Sequence, residues 1–97
     1  MKVNEIDTND LRNYCCISDD SIDTKKFLLT ALASAKSYIK SYCNISDEEL
    51  NKHDDLSSAV FMYVYDAFSN RSKGTDYKIE ENPAFTAILS LHDKNFL

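Results

Sequence analysis

A chain of 97 residues, 43% hydrophobic and 28% charged, is sized for one domain spanning residues 1–97. Such a domain buries roughly two-thirds of its unfolded surface, which leaves little room for a large catalytic cleft. A formal net charge of -5, a pI near 4.8 and scattered Lys and Arg exclude a surface that wraps nucleic acid, since phosphate binding needs clustered cations to release counterions. One glycine and one proline supply too few turns for an all-β fold of short strands, so the expected class is all-α: a small bundle of four to five helices, with a long second helix and a long apolar fourth helix.

In chain order, Thr8 before Asn9-Asp10-Leu11 suits a short first helix running through about Tyr14. Ile17-Ser18-Asp19-Asp20 supplies a clearer start for the long second helix, with carboxylates where the helix dipole favours negative charge. From Ile22, the residues Leu28, Leu29, Leu32, Ala35, Ile39, Tyr42 and Cys43 recur at spacings of three and four, and the helix is expected to reach about Cys43. The small residues at its middle, Ala31, Ala33, Ser34, Ala35 and Ser37, permit close approach of another helix.

Asn44-Ile45 breaks the run. Ser46-Asp47-Glu48-Glu49-Leu50 then reads as a capping box opening a turn or two of helix. His53-Asp54-Asp55 restarts a helix that is expected to end at Arg71, with Leu56, Ala59, Val60, Tyr63, Val64, Ala67 and Phe68 as an unbroken inward series. Phe61, Met62 and Tyr65 lie off that series, so this helix is apolar most of the way round and must be covered on both sides. Either the first and last helices cover it, or Phe61, Met62 and Tyr65 form a subunit interface. On the second reading, Phe61→Asp combined with Tyr65→Asp leaves a folded helical monomer that no longer assembles.

Ser72 to Glu81 holds the only glycine and alternates in charge, a long polar loop expected to be functional or mobile. Asn82-Pro83 restarts helix with Asn as cap and Pro at the first helical position, and Phe85, Ile88, Leu89 and His92 form its inward stripe before the apolar end Asn95-Phe96-Leu97.

Residues that carry chemistry are few. His53 and His92 have no second ligand-type residue at a zinc-helix spacing, so no metal site and no cofactor are expected, and His53 reads as flanking a helix start. Cys15, Cys16 and Cys43 form no Cys-x-x-Cys pair and read as reduced, small buried hydrophobes in a chain made in a cytoplasm. The single glycine rules out the usual nucleotide fingerprints. Asp19-Asp20, Asp47-Glu48-Glu49 and Asp54-Asp55 sit at helix starts, where capping explains them without catalysis. An enzyme would need His53 or His92 to meet a cysteine or carboxylate in a pocket. No stretch approaches a membrane span, and no membrane partner is expected.

Laid out this way, the chain resembles the small bacteriophage head-tail connector family, also described as DNA-packaging or head-completion adaptors. The resemblance covers most of the chain. Its carriers are Ala-Lys-Ser-Tyr-Ile at Ala35 to Ile39, then Ser46-Asp47-Glu48-Glu49-Leu50, then the helix through Val60-Phe61-Met62-Tyr63-Val64-Tyr65-Asp66 to Asn70-Arg71-Ser72. The restart at Asn82-Pro83 follows, leading through Ile88-Leu89 and Leu91-His92 to Asn95-Phe96-Leu97. It implies a non-enzymatic all-α subunit of the virion's head-tail junction, made in a bacterial host, from a phage or a prophage. The subunit would join a closed ring of its own copies beneath the portal protein, with a tail-joining or stopper protein docking under it and DNA only as passing cargo.

The resemblance further implies that the loop residues Lys73, Gly74, Asp76, Tyr77 and Lys78 reach partners or the DNA channel, and that Asn95, Phe96 and Leu97 form a portal-docking tail within the terminal segment 94–97. A ring needs heterologous contacts, which two apolar faces on the fourth helix would supply. The alternative is a small acidic binding module, an inhibitor or DNA mimic, presenting Asp19, Asp20, Asp47, Glu48, Glu49, Asp54, Asp55, Glu80 and Glu81 to a basic partner.

Overall fold

Leu56, Ala59, Val60 and Val64 are fully buried, and the helix that carries them packs against most of the other elements. A computed structural model describes residues 1–73, 79 and 82–96, excepting the side chains of 72, 73 and 96. Among the described residues the chain is all-α. Its helices are α1 (Thr8–Cys15), α2 (Ile22–Cys43), α3 (Asp47–Lys52), α4 (Asp55–Lys73) and α5 (Pro83–Ser90), with 3-10 turns at Val3–Glu5 and Lys94–Phe96. The long second helix expected from the sequence is α2, and the apolar fourth is α4. No helix among the described residues is long and apolar enough to cross a membrane.

Helix starts follow from caps. Asp7 rather than Thr8 opens α1: Asp10 N–H donates to Asp7 Oδ1 at 2.8 Å and Asp7 N–H donates to Asp10 Oδ2 at 3.1 Å, a reciprocal box built from two aspartates. Ser21 caps α2 and is itself held by Asp19, which accepts from Ser21 N–H at 3.0 Å and Ser21 O–H at 2.9 Å. Ser46 caps α3 by accepting from Glu49 N–H at 3.3 Å, but the Glu49 side chain turns away to Lys52, His53 and Lys94, so the expected reciprocal box is only half formed. Asp20 pairs with Arg12 at 3.3 Å and Lys25 at 3.4 Å, tying α1 to the start of α2.

Two helix ends use the left-handed region without glycine. Cys16 (φ 57) closes α1 and Asn44 (φ 56) closes α2. In each case the next amide reaches back into the helix: Ile17 N–H donates to Arg12 O at 2.9 Å and Ile45 N–H donates to Lys40 O at 3.1 Å. Ile17 and Ile45 both pack against the core, which gives the hydrophobic contact that accompanies this type of helix end.

The buried face of α2 is Leu28, Ala31, Leu32, Ala35, Ile39 and Cys43. Leu29, expected on that stripe, is 54% exposed. It sits about 100° round the helix from Leu28, and the small Ala31 takes the inner position instead. The small residues let α4 approach, and α4 also packs against α1, α5 and the N-terminal 3-10 turn. Between α2, α4 and α5, Tyr38, Tyr63 and Phe85 form an aromatic triangle with ring centroids 5.8, 5.9 and 6.4 Å apart. At the other end of α2, Phe27 meets Phe68, and the Arg71 guanidinium lies 4.5 Å above the Phe27 ring.

The three cysteines are free. Burial pushes the thiols of Cys15 and Cys43 up to about 11, so neither is a ready nucleophile. Cys43 donates to Leu89 O at 3.4 Å, joining α2 to α5. Cys16 is exposed, contrary to the buried role expected of it, because the left-handed turn at the end of α1 points it away from the core that holds Cys15.

The sequence places α5 correctly. Asn82 Oδ1 accepts from Ala84 N–H at 3.0 Å and Phe85 N–H at 3.3 Å, and Pro83 occupies the first helical position. With that oxygen committed to the helix, the Asn82 side chain bonds Asp66 of α4 through its amide N–H. Asp66 Oδ2 is buried with no hydrogen-bond partner among the described residues, and desolvation holds the Asp66 carboxyl above its ordinary value. The cleft beside it, about 140 Å³, is lined by Tyr63, Asp66, Ala67, Asn70 and Ile79. α4 runs to Lys73, two residues beyond its expected end, while α5 ends at Ser90, so His92 lies in the following turn rather than on the helical stripe.

Three substitutions test this packing. Phe85→Ala, which empties the aromatic triangle, is expected to cost about 3–5 kcal/mol in urea unfolding with an unchanged denaturant slope. Asn82→Ala removes a cap and is expected to cost about 1 kcal/mol. Asp66→Asn should instead stabilise the protein at neutral pH. A carboxyl raised in the folded state penalises folding above its raised value, and the penalty is relieved as pH falls toward the ordinary value of 3.8, so the advantage of the Asn variant should vanish there. An advantage independent of pH would show that desolvation of the charge is not the cause.

Candidate functional site

Where α3 gives way to α4, the turn after α5 returns to meet the junction. His53 ends α3 in extended backbone (φ -109, ψ 115), and its carbonyl accepts from Leu56 N–H at 3.2 Å, which fixes the short link between the helices. Asp55 is the first residue of α4, where the helix dipole favours a carboxylate. His92 arrives in the turn after α5, held by its N–H to Leu89 O at 3.0 Å.

His92 Nε2 lies 2.7 Å from Asp55 Oδ2 across 37 residues of sequence. The His53 and His92 rings stand 4.3 Å apart between centroids at 39°. His53 Nε2 is 3.5 Å from Glu49 Oε2, one helical turn earlier. Glu49 also faces Lys94 at 3.8 Å and Lys52 at 3.7 Å, and these two ammonium groups, Lys94 first, hold its carboxyl below the ordinary value. The His92 side chain is only 15% exposed, and the group opens on a cleft of about 280 Å³ lined by Ile45, Glu49, His53, Leu91, His92, Asp93 and Lys94. One ligand atom from each of His53, Asp55 and His92 falls within 4.8 Å of the others.

Sequence spacing offers neither histidine a second ligand-type residue at a zinc-helix interval, and the structure brings a carboxylate to each. Spacing along the chain could not show it, because the partners meet only when α5 returns to the start of α4. The one local signal is His53-x-Asp55, too short to be informative alone. Both histidines meet a carboxylate beside a cleft, the condition set for enzyme chemistry. The described lining residues nonetheless include no Ser, Thr or Cys to act as a nucleophile. A histidine oriented by a carboxylate can move a proton or hold a metal, and those are the two chemistries available.

The residues proposed as interfaces fall elsewhere. Phe61 is half-buried and stacks on Tyr14 of α1 at 4.9 Å, and both Phe61 and Met62 pack against the core. The second apolar side of α4 is therefore covered at Phe61 by α1. Phe61→Asp would unseat α1, so the paired Phe61 and Tyr65 substitution does not isolate an outer face. Tyr65 meets Tyr14 edge-on at 6.3 Å and is 45% exposed.

Lys73 is the last residue of α4, and Ser72 is likewise helical rather than the start of a loop. Gly74, Asp76, Tyr77, Lys78 and Leu97 lie outside the described residues, as do the side chains of Lys73 and Phe96. Asn95 is not a free tail residue: its Nδ2 donates to Tyr42 O at 2.9 Å and its N–H donates to Asp93 Oδ1 at 2.8 Å. No protein-family model, curated protein or solved structure matches the chain.

The carboxylates around this end of the bundle set an acid limit. Lys40 at 2.8 Å holds the Asp47 carboxyl below its ordinary value, as Lys94 and Lys52 do for Glu49. A carboxyl depressed in the folded state contributes stability that is fully present above its ordinary value and lost as pH falls through the depressed one. The urea midpoint is therefore expected to decline as pH drops below about 4.5, the ordinary value for Glu49, and less steeply in high salt, which screens exposed pairs. A midpoint indifferent to salt across that range would show that these pairs contribute nothing.

Proposed function

We propose that this chain is a non-enzymatic bacteriophage structural protein that forms a ring joining the portal vertex of the capsid to the tail during head completion after DNA packaging. The observation that carries the reading is the order of elements: the long α2 through Ala35 to Ile39, the short capped α3, the apolar α4 and the Asn82-Pro83 restart. Its partners are copies of itself, the portal protein and a tail-joining or stopper protein, and it acts at the head-tail junction of the virion. DNA passes as cargo, and a net charge of -5 suits a conduit to which DNA does not adhere.

The placement of exposed apolar side chains supports such an assembly. Tyr14 and Tyr65 stand together on one side, and Leu91 is 77% exposed beside His92. His92 touches Asp55, and ten residues of α4 separate Asp55 from Tyr65, about 15 Å of helix. Two apolar points this far apart are the arrangement that a head-to-tail contact uses. The described part of the terminal segment rests on α2 and α3 through Asn95 and Lys94.

The acidic-module alternative is less well supported. Asp19, Asp20, Asp47, Glu49 and Asp55 are each engaged by local hydroxyls, ammonium groups, a guanidinium or an imidazole, and so are less available to an external basic partner.

Co-sedimentation with portal-bearing, tail-less capsids from the same source tests the connector reading. Saturable binding in a fixed ratio to portal is expected. Tyr65→Asp and Leu91→Asp, each helical by circular dichroism, should reduce it at least tenfold. Absence of binding at modest salt with intact portals would refute the reading, and binding unaffected by either substitution would move the interface elsewhere.

A further inference from the structure

We propose that His53, Asp55 and His92 form a binding site for a single divalent transition-metal ion of the zinc class, which clips the turn after α5 to the α3–α4 junction. This rests on the geometry of the cluster alone and is independent of the connector reading.

The donor set is two imidazoles and one carboxylate, which favours zinc and its neighbours over magnesium or calcium, whose sites are built from oxygen. A tetrahedral zinc ion with bonds near 2.0–2.1 Å sets its ligand atoms about 3.3 Å apart. His92 Nε2 and Asp55 Oδ2, now 2.7 Å apart, need to open by about 0.6 Å, and no ligand atom has to close from beyond 4.8 Å. Both adjustments are within the reach of side-chain torsions. The Asp55 and His53 side chains are 45% and 37% exposed, free to move, while the backbones that carry all three ligands are pinned by carbonyl hydrogen bonds or by the first turn of α4.

Two features distinguish the cluster from an ordinary surface ion pair. Its members come from two places far apart in the chain, the His53–Asp55 junction and the turn at His92, so an ion held there would link the end of α5 to the start of α4. Glu49 also stands beside the His53 ring at 3.5 Å, an outer carboxylate of the kind that orients a metal-bound imidazole. Three protein ligands leave the fourth position for water from the adjoining cleft.

The test is titration of the tag-free full-length chain with zinc ion alone, in competition with a chromogenic chelator at neutral pH. One ion per chain is expected, with His53→Ala and His92→Ala each weakening binding at least 100-fold and Asp55→Asn at least tenfold. Saturating zinc should raise the thermal midpoint of the parent chain and not that of the histidine variants, and magnesium should raise neither. Cys16→Ser must leave binding unchanged; loss of zinc in that variant would place the ion at the exposed thiol and overturn the proposal. Should a histidine variant not fold, the imidazole nitrogen signals of the parent chain decide. Both histidines shifting at one equivalent of zinc supports the site, and unshifted imidazoles, or equal affinity in folded variants, would leave two histidines, each beside its carboxylate, with no ion.

Discussion

The burial of α4 on several sides at once is the constraint from which the rest of the structure follows. A helix whose Leu56, Ala59, Val60 and Val64 lose all contact with solvent needs neighbours that come close, and two features of the chain meet that need. The small residues on the facing side of α2 let the two backbones approach, and Tyr14 of α1 lies flat on Phe61 where α2 does not reach. Each fully buried aliphatic side chain contributes about 1.5–3 kcal/mol, so this one helix carries a large part of the driving force in a domain whose net stability is modest. α5 completes the enclosure with Phe85 and Leu89, and its orientation is set from α4 itself through Asp66 and Asn82.

The same enclosure creates the polar end of the molecule. Because α5 must lie along α4, the turn that follows it arrives at the start of α4, and His92 is delivered to Asp55. The short α3 brings Glu49 and His53 to the same place, and Lys94 closes over Glu49 from the terminal segment. A helix start, a helix end and a chain end thus share one set of charges. At the opposite end the described contacts are largely apolar, Phe27 with Phe68 beneath Arg71.

Much of this is legible in the sequence, and the exceptions have specific causes. The long α2, the capped α3 and the Asn82-Pro83 restart can be read directly, because each is signalled by a local pattern with a local physical cause. The start of α1 is misread by one residue because two aspartates serve where a hydroxyl and a glutamate are the usual pair. Periodicity marks Phe61 as outside the inner stripe of α4 but cannot tell that Tyr14, forty-seven positions earlier, covers it. The histidine cluster is the least legible element. His92 is 37 residues from Asp55, and its meeting with the His53-x-Asp55 pair depends on the return path of α5, which no short-range pattern encodes.

The two left-handed helix ends have a consequence for how the protein opens. Helix termini ordinarily fray, exchanging their amide protons without disturbing the interior. Here a non-glycine residue in the left-handed region costs roughly 1–2 kcal/mol at Cys16 and less at Asn44, since asparagine occupies that region more readily, and the cost is sustained only while Ile17 and Ile45 remain seated on the core. Release of either isoleucine relieves the backbone strain and exposes apolar surface in the same event, so unwinding at these corners is tied to loss of the interior rather than being a private motion of the last turn. The ends of α1 and α2 therefore belong to the cooperative unit, and the boundary between its local and global opening lies beyond them.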